Sequence, residues 1–263
     1  MMFAKLERRR ERGQSLVELA LFVPVLLFMV IGMAELGVFF SVYIDVLDAS
    51  RAGARYVSPL DPYVTFCQPF NNTRTGKSIS FTTACQTSGA EYVQAAQTIK
   101  SWGATAIYDT CSDSSTLNFF YVAGCLALRN TPQGFLDPAN NFDDIIVTTV
   151  PITANGQIVS TSTEPILFWS FFGNQPTTSD SVVVTVTNHS TLAVDILPSF
   201  VSSLARSGAP ATGMVVVEVY HAHPQLTKLY YSISRLAGSR ATIPDPIPIH
   251  TYTIFPLPAV EPK

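Results

Sequence analysis

Residues 13–58 read GQSLVELALFVPVLLFMVIGMAELGVFFSVYIDVLDASRAGARYVS. From Leu16 to Leu47 the only charged side chains are Glu18, Glu35 and Asp45, and the run Leu19 to Ala34 carries none. As a helix, that run is about long enough to cross a hydrocarbon core of roughly 30 Å. Pro24 frees the carbonyl of Ala20 and is expected to bend the helix there, which bilayers tolerate through neighbouring helices and local 3₁₀ adjustment. Gly32 and Gly37 leave room for a second helix to approach. Beyond Glu35, the residues Leu36, Phe39, Phe40, Tyr43 and Leu47 recur at helical spacing, with Ser41, Asp45 and Asp48 off that stripe. The helix is therefore expected to leave the membrane amphipathic and to be covered by the rest of the chain. Arg51 and Arg55 suit the negative end of its dipole.

The flanks orient the span. Lys5, Arg8, Arg9, Arg10 and Arg12 against Glu7 and Glu11 give the leader a net charge of +3, and basic residues resist translocation. The N-terminus is expected in the cytoplasm and the C-terminal part outside a single-pass cell membrane protein. With −3 on the whole chain and +3 on the leader, the remainder carries −6. That excludes the clustered basic face that a nucleic-acid partner requires. The remainder is rich in Ser, Thr, Pro and Asn and has no second apolar run of spanning length. Its four cysteines, Cys67, Cys85, Cys111 and Cys125, would pair in an oxidising compartment, and without a C-x-x-C pair they do not read as a zinc site. Three connectivities exist; the sequence-local pairs Cys67 with Cys85 and Cys111 with Cys125 are preferred.

Gly13 follows a basic stretch, and Glu18 stands five residues later at the start of the apolar run. A carboxylate there has two readings: a functional acid inside the membrane edge, or a charge at headgroup level favoured by the helix N-terminus. The run RGQSLVEL resembles the processing site of type IV prepilins. Together with LDASRAGARYV further on, it resembles the N-terminal domain of the TadE-like (TadE/TadG) pseudopilins of the tight-adherence pilus system. The resemblance covers about the first sixty residues, as two blocks in the right order and spacing. It implies cleavage after Gly13 by a prepilin peptidase, with Gln14 as the new N-terminus. It also implies that Glu18 neutralises the terminal amine of a neighbouring pilin or pseudopilin subunit as helices stack. The chain departs from the commonest prepilin pattern in having Leu19 where an aromatic residue often follows the glutamate. A secretory signal cut at Ala52-Gly53-Ala54 is the rival, but that site lies far beyond an h-region of ordinary length.

The fold expected is α+β: a leader over 1–13, a transmembrane and amphipathic helix over 14–58, and an exported pilin-like domain with an antiparallel sheet over 59–263. Pro59, Pro62 and Pro69 end the long helix and open an irregular cysteine-bearing stretch with a turn at Asn71-Asn72. Ser88 and Glu91 have capping-box spacing ahead of a helix whose core face is Tyr92, Ala95, Ala96, Ile99 and Trp102, stopped by Gly103. Alternation predicts a strand over Asp144 to Val150 and a hairpin through Asn155-Gly156 into Gln157 to Ser162. Further strands are expected over Ser181 to Asn188, Gly213 to Ala222 and Ile247 to Phe255. An amphipathic stretch is expected over Ile196 to Leu204, a helix over Leu226 to Leu236, and a Pro-rich tail at the end. The run VVVEVYHAHPQL, Val215 to Leu226, also resembles the C-terminal strand of TadE-like proteins.

Chemical motifs are absent. His221 and His223 share a strand face without a third ligand nearby and read as surface or interface histidines rather than as a zinc site. Asp113-Ser114-Ser115 lacks the second serine of a D-x-S-x-S metal loop, because Leu117 occupies that place. No P-loop, G-x-S-x-G, H-E-x-x-H or dinucleotide fingerprint occurs, so neither an enzyme nor a cofactor is expected. Two functions follow: a minor pilin or pseudopilin that helps assemble a tight-adherence pilus or related secretion apparatus, or a single-pass anchor whose exported domain serves binding or adhesion outside any filament.

Overall fold

The computed structural model describes residues 3–65, 67–81, 90–112, 118–152, 167–174, 212–228 and 244–257. The chain forms two compact units, Met1–Val42 with His223–Ile247, and Tyr43–Ala222 with Pro248–Lys263. Helix α1, Phe3–Val57, contributes to both and runs for 55 residues with Pro24 inside it. It stops where Ser58, as the residue before Pro59, is biased away from helical backbone. The Ser58 N–H still donates to Ala54 O at 3.1 Å, and its hydroxyl to Arg55 O at 3.0 Å, which completes the last turn.

In the second unit, the buried face of α1 is Val46, Ala49, Ser50, Gly53, Ala54 and Val57. This corrects the expected stripe: Tyr43 stands exposed and Leu47 only half-buried, while Leu36 and Phe40 of the first unit are exposed too. The physical reason is close approach. A Cβ on Gly53 would lie 2.9 Å from the Ala123 carbonyl oxygen and 3.3 Å from Ala127 and Val217. Only small residues fit such a seam. Ser50 shares a 2.7 Å hydrogen bond with the Thr253 hydroxyl, and the Thr251 hydroxyl donates to Val46 O.

Helices α2 (Pro62–Thr65), α3 (Ala90–Ser101), α4 (Ala104–Cys111) and α5 (Phe119–Arg129) follow, with a hairpin of β1 (Phe70–Asn72) and β2 (Lys77–Ile79) after α2. Pro62 opens α2, where its missing N–H has no consequence. Asn71-Asn72 is not the turn. Asn72 ends β1, its side chain accepts from Arg74 N and Thr75 N, and residues 73–76 make the turn. In α3, Tyr92, Ala95, Ala96 and Ile99 are buried as the periodicity requires, and Gly103 ends the turn at φ +78°. Ser88 lies outside the described residues.

Helix α5 was not foreseen. It is apolar nearly all round, so it has no amphipathic period to read and is buried on most sides. Asn118 caps it by accepting from Tyr121 N at 3.0 Å. The Cys111–Cys125 disulfide ties the end of α4 to it across a separation of 14 residues. A loop of that length restricts the unfolded chain by about 3 kcal/mol. Cys67 is also disulfide-bonded, and its expected partner Cys85 lies outside the described residues.

The main sheet has the order β4-β3-β5-β6, from β3 (Asp144–Ile152), β4 (Leu167–Ser170), β5 (Thr212–His223) and β6 (Ile247–Leu257). Strand β3 pairs antiparallel with β4 (Val147 opposite Trp169) and with β5 (Val147 opposite Val217). The strand expected over Asp144 to Val150 is present as β3, and all nine of its residues are buried. Aromatic rings fill the space between helices and sheet. Phe70 stacks on Tyr121 at 4.0 Å, and Tyr92 meets Trp169 edge-on at 5.5 Å. Burial pushes the phenol groups of Tyr92 and Tyr121 well above their usual range.

Beside β3, the buried Asp144 carboxylate collects four donors. Ile145 N, Phe172 N and Asn174 N lie at 2.8, 2.9 and 3.0 Å, and the Ser170 hydroxyl completes the set. Asp143 accepts from Asp137 N at 3.0 Å and Ala222 N at 2.7 Å, with His221 Nδ1 at 3.4 Å. These carboxylates replace water for main-chain N–H groups that the loops would otherwise leave unbonded. The expected elements at 155–156, 157–162, 181–188 and 196–204 lie outside the described residues. Of the described start of the expected helix over 226–236, residues 226 and 227 form a bend.

Two substitutions test this packing in the full-length chain. Gly124→Ala would bring a Cβ within 2.3 Å of the Phe171 ring, and it should lower unfolding stability by about 1–3 kcal/mol. Gly37→Ala meets nothing within 4 Å and should be neutral or stabilising by up to about 1 kcal/mol. Denaturant midpoints in detergent measure both. Asp144→Asn exchanges an acceptor for an N–H₂ group among donors and should cost about 1–3 kcal/mol, readable as a lower thermal midpoint.

Candidate functional site: the apolar helix and its two acids

Between Leu16 and Val30 the large apolar side chains of α1 are exposed, from Val23 at 43% to Leu21 at 72%. Helix α1 from Leu16 onward is long and apolar enough to cross a membrane. A surface of this kind is not stable in water, since scattered apolar residues are ordinary but a contiguous apolar cylinder is not. Gly13 and Gln14 lie in helical backbone ahead of it, and Glu18 stands exposed at the start of the apolar run. Pro24 sits inside the helix without ending it. These four expected positions therefore fall on one continuous element, whereas the cysteines belong to the second unit.

Glu35 closes the uncharged run at its other end, about 25 Å from Glu18 at 1.5 Å per residue. Its side chain is only 7% exposed. Glu35 Oε1 accepts from the Thr227 backbone N–H at 2.7 Å and from the Thr227 hydroxyl at 2.6 Å. Oε2 is buried and has no hydrogen-bond partner among the described residues. Around it lies a cavity of about 390 Å³, lined by Leu36, Phe39, His223, Gln225, Leu226 and Ile247 as well as Glu35. The signal that pointed here was available: a carboxylate directly after sixteen uncharged residues. Its partner was not, because Thr227 is 192 residues away.

The walls of this cavity are tied down locally. Phe39 meets the His223 ring edge-on at 6.0 Å. Gln225 N donates to Asp245 Oδ1 at 3.1 Å, its side-chain amide donates to Pro244 O at 2.9 Å, and Lys228 lies 3.3 Å from Asp245 Oδ2. The Gln225 N–H first, and Lys228 after it, hold the Asp245 carboxyl below the usual carboxylate range. The sign follows: the stability this gives is present above about pH 4 and is lost as pH falls through the depressed pKa.

His221 and His223 are buried rather than at the surface, which corrects the sequence expectation. His221 stacks on Phe135 at 4.1 Å, and no group of three or more metal-ligating side chains occurs among the described residues. In the second unit, Glu218 Oε1 lies 3.1 Å from His250 Nε2, and that imidazole stacks on Tyr220. Asp143 and Asp144 are occupied by backbone amides. These groups hold the sheet together.

No curated protein and no solved structure matches the chain. The match that exists falls on the apolar helix just described and includes Glu18 and Glu35: residues 13–55 fit the family model described as TadE-like protein, so the chain carries a TadE-like N-terminal segment.

Proposed function

We propose that this chain is a minor pilin or pseudopilin-like structural component, with no catalytic role, for assembly of a tight-adherence type IV pilus or a related secretion apparatus. The observation that carries the reading is the exposed, acid-bearing apolar helix within the TadE-like match. In this reading the basic leader lies in the cytoplasm and α1 crosses the membrane. The unit of α5, the main sheet and the last part of α1, from Tyr43, stands outside. A prepilin peptidase cuts between Gly13 and Gln14. Glu18 then sits at the membrane edge, where a carboxylate is stabilised by pairing with a cation, here the new terminal amine of a neighbouring subunit. A filament or its initiating complex gives the apolar cylinder other helices to pack against. The disulfides suit an oxidising exterior.

The competing role, a surface anchor that never enters a filament, keeps its leader. Intact mass of the chain from cells with and without the prepilin peptidase separates the two. The expected result is loss of residues 1–13 only when the peptidase is present; retention in both strains would sink the pseudopilin reading. Glu18→Gln should leave cleavage intact and reduce piliation at least about tenfold, the effect of losing roughly 1.4 kcal/mol per subunit contact. Electron microscopy of surface filaments measures it, and normal filament numbers in that variant would count against the role given to Glu18.

A further inference from the structure

The two carboxylate oxygens of Glu35 are unequally served: one accepts two hydrogen bonds from Thr227, while the buried Oε2 accepts none among the described residues. A buried carboxylate oxygen without a donor is costly, and a charge-assisted donor is the strongest remedy. Of the remaining walls, Leu36, Phe39, Leu226 and Ile247 are apolar, and His223 and Gln225 are polar. The occupant that satisfies both features carries a cationic N–H donor on an apolar body. The cavity, at about 390 Å³, has the size of an ordinary small-ligand site.

Position narrows the chemistry. On the membrane-spanning reading above, on which this inference rests, Glu35 is the first charged residue after the uncharged run Leu19 to Ala34 and so stands at headgroup level on the outer side. A molecule with an ammonium head and an apolar body at that depth is an aminophospholipid. A second copy of this chain is a poorer occupant, because the part beyond the leader carries a net −6 and is poor in Lys and Arg. We propose that the Glu35 cavity binds the headgroup of an aminophospholipid. Its primary ammonium donates to Oε2, and the upper part of one acyl chain lies on Leu36, Phe39, Leu226 and Ile247. The site would set the depth of α1 in the bilayer by holding one lipid against it.

Native mass spectrometry of the full-length chain from detergent tests this with two probes. Dioleoylphosphatidylethanolamine has N–H donors, and dioleoylphosphatidylcholine has the same chains but none. The expected result is one ethanolamine lipid retained per chain, at least about tenfold tighter than the choline lipid. Glu35→Gln should remove that preference. Leu226→Trp, at a residue 65% exposed and therefore tolerant of change, should occlude the cavity and weaken retention of the ethanolamine lipid. Equal retention of the two lipids by the native chain, or an undiminished preference in Glu35→Gln, overturns the proposal. So does crosslinking between copies that requires Glu35 while lipid retention does not, since it would assign the cavity to a protein partner. Carbonate extraction from native membranes tests the spanning reading separately. A chain released by carbonate defeats both, whereas a chain that stays in the bilayer without distinguishing the lipids defeats only the headgroup site.

Discussion

Helix α1 and helix α5 meet at backbone distance, with the place of a Gly53 Cβ only 2.9 Å from the Ala123 carbonyl oxygen. That approach governs how the second unit is built. It requires a seam of Ala, Gly, Ser and Val on α1, and it leaves larger side chains such as Tyr43 and Tyr56 outside. It also brings Val217 of β5 against the helix, so that α1, α5 and the sheet share one core. A second close approach, Gly124 against the ring of Phe171, sets α5 on the other side. Interiors packed to crystal-like density respond to a single added methylene, which is why the two glycines carry weight beyond their size.

Buried charge organises the loops around that core. Asp144 and Asp143 stand at the start of the central strand, and their oxygens serve main-chain N–H groups of residues 137, 145, 172, 174 and 222. Each loop amide must find an acceptor once water is excluded, and one carboxylate can serve several. Removing such a group leaves several donors orphaned at once. The acids here are therefore architectural.

Glu18 and Glu35 bracket the uncharged run and face different surroundings. Glu18 stands exposed on the helix, whereas Glu35 is held at one oxygen by Thr227 and buried at the other. The same residue type, about 25 Å apart on one helix, thus stands in two environments: one acid on the exposed face of the helix, the other in a recess closed by Thr227, a distant part of its own chain. An acid at the edge of an apolar rod is costly enough that each of these placements calls for a partner.

The elements legible in the sequence are those whose signal is local: the uncharged apolar helix with its basic flank and Glu18, the amphipathic face of α3 ended by Gly103, the Val-rich strand β5 and the extended piece β6. Of the three cysteine connectivities the sequence leaves open, the structure contains the preferred Cys111–Cys125 pair. Hydropathy, period and capping chemistry act within a few residues, so they are written along the chain. Tertiary structure decided the rest. It chose the small-residue face of α1 over the large apolar stripe and buried His221 and His223. It also formed α5 without a periodic pattern, and it joined Glu35 to Thr227 across 192 positions. Those outcomes depend on which surfaces approach closely enough to exclude water, and that is a property of the folded chain as a whole rather than of any window within it.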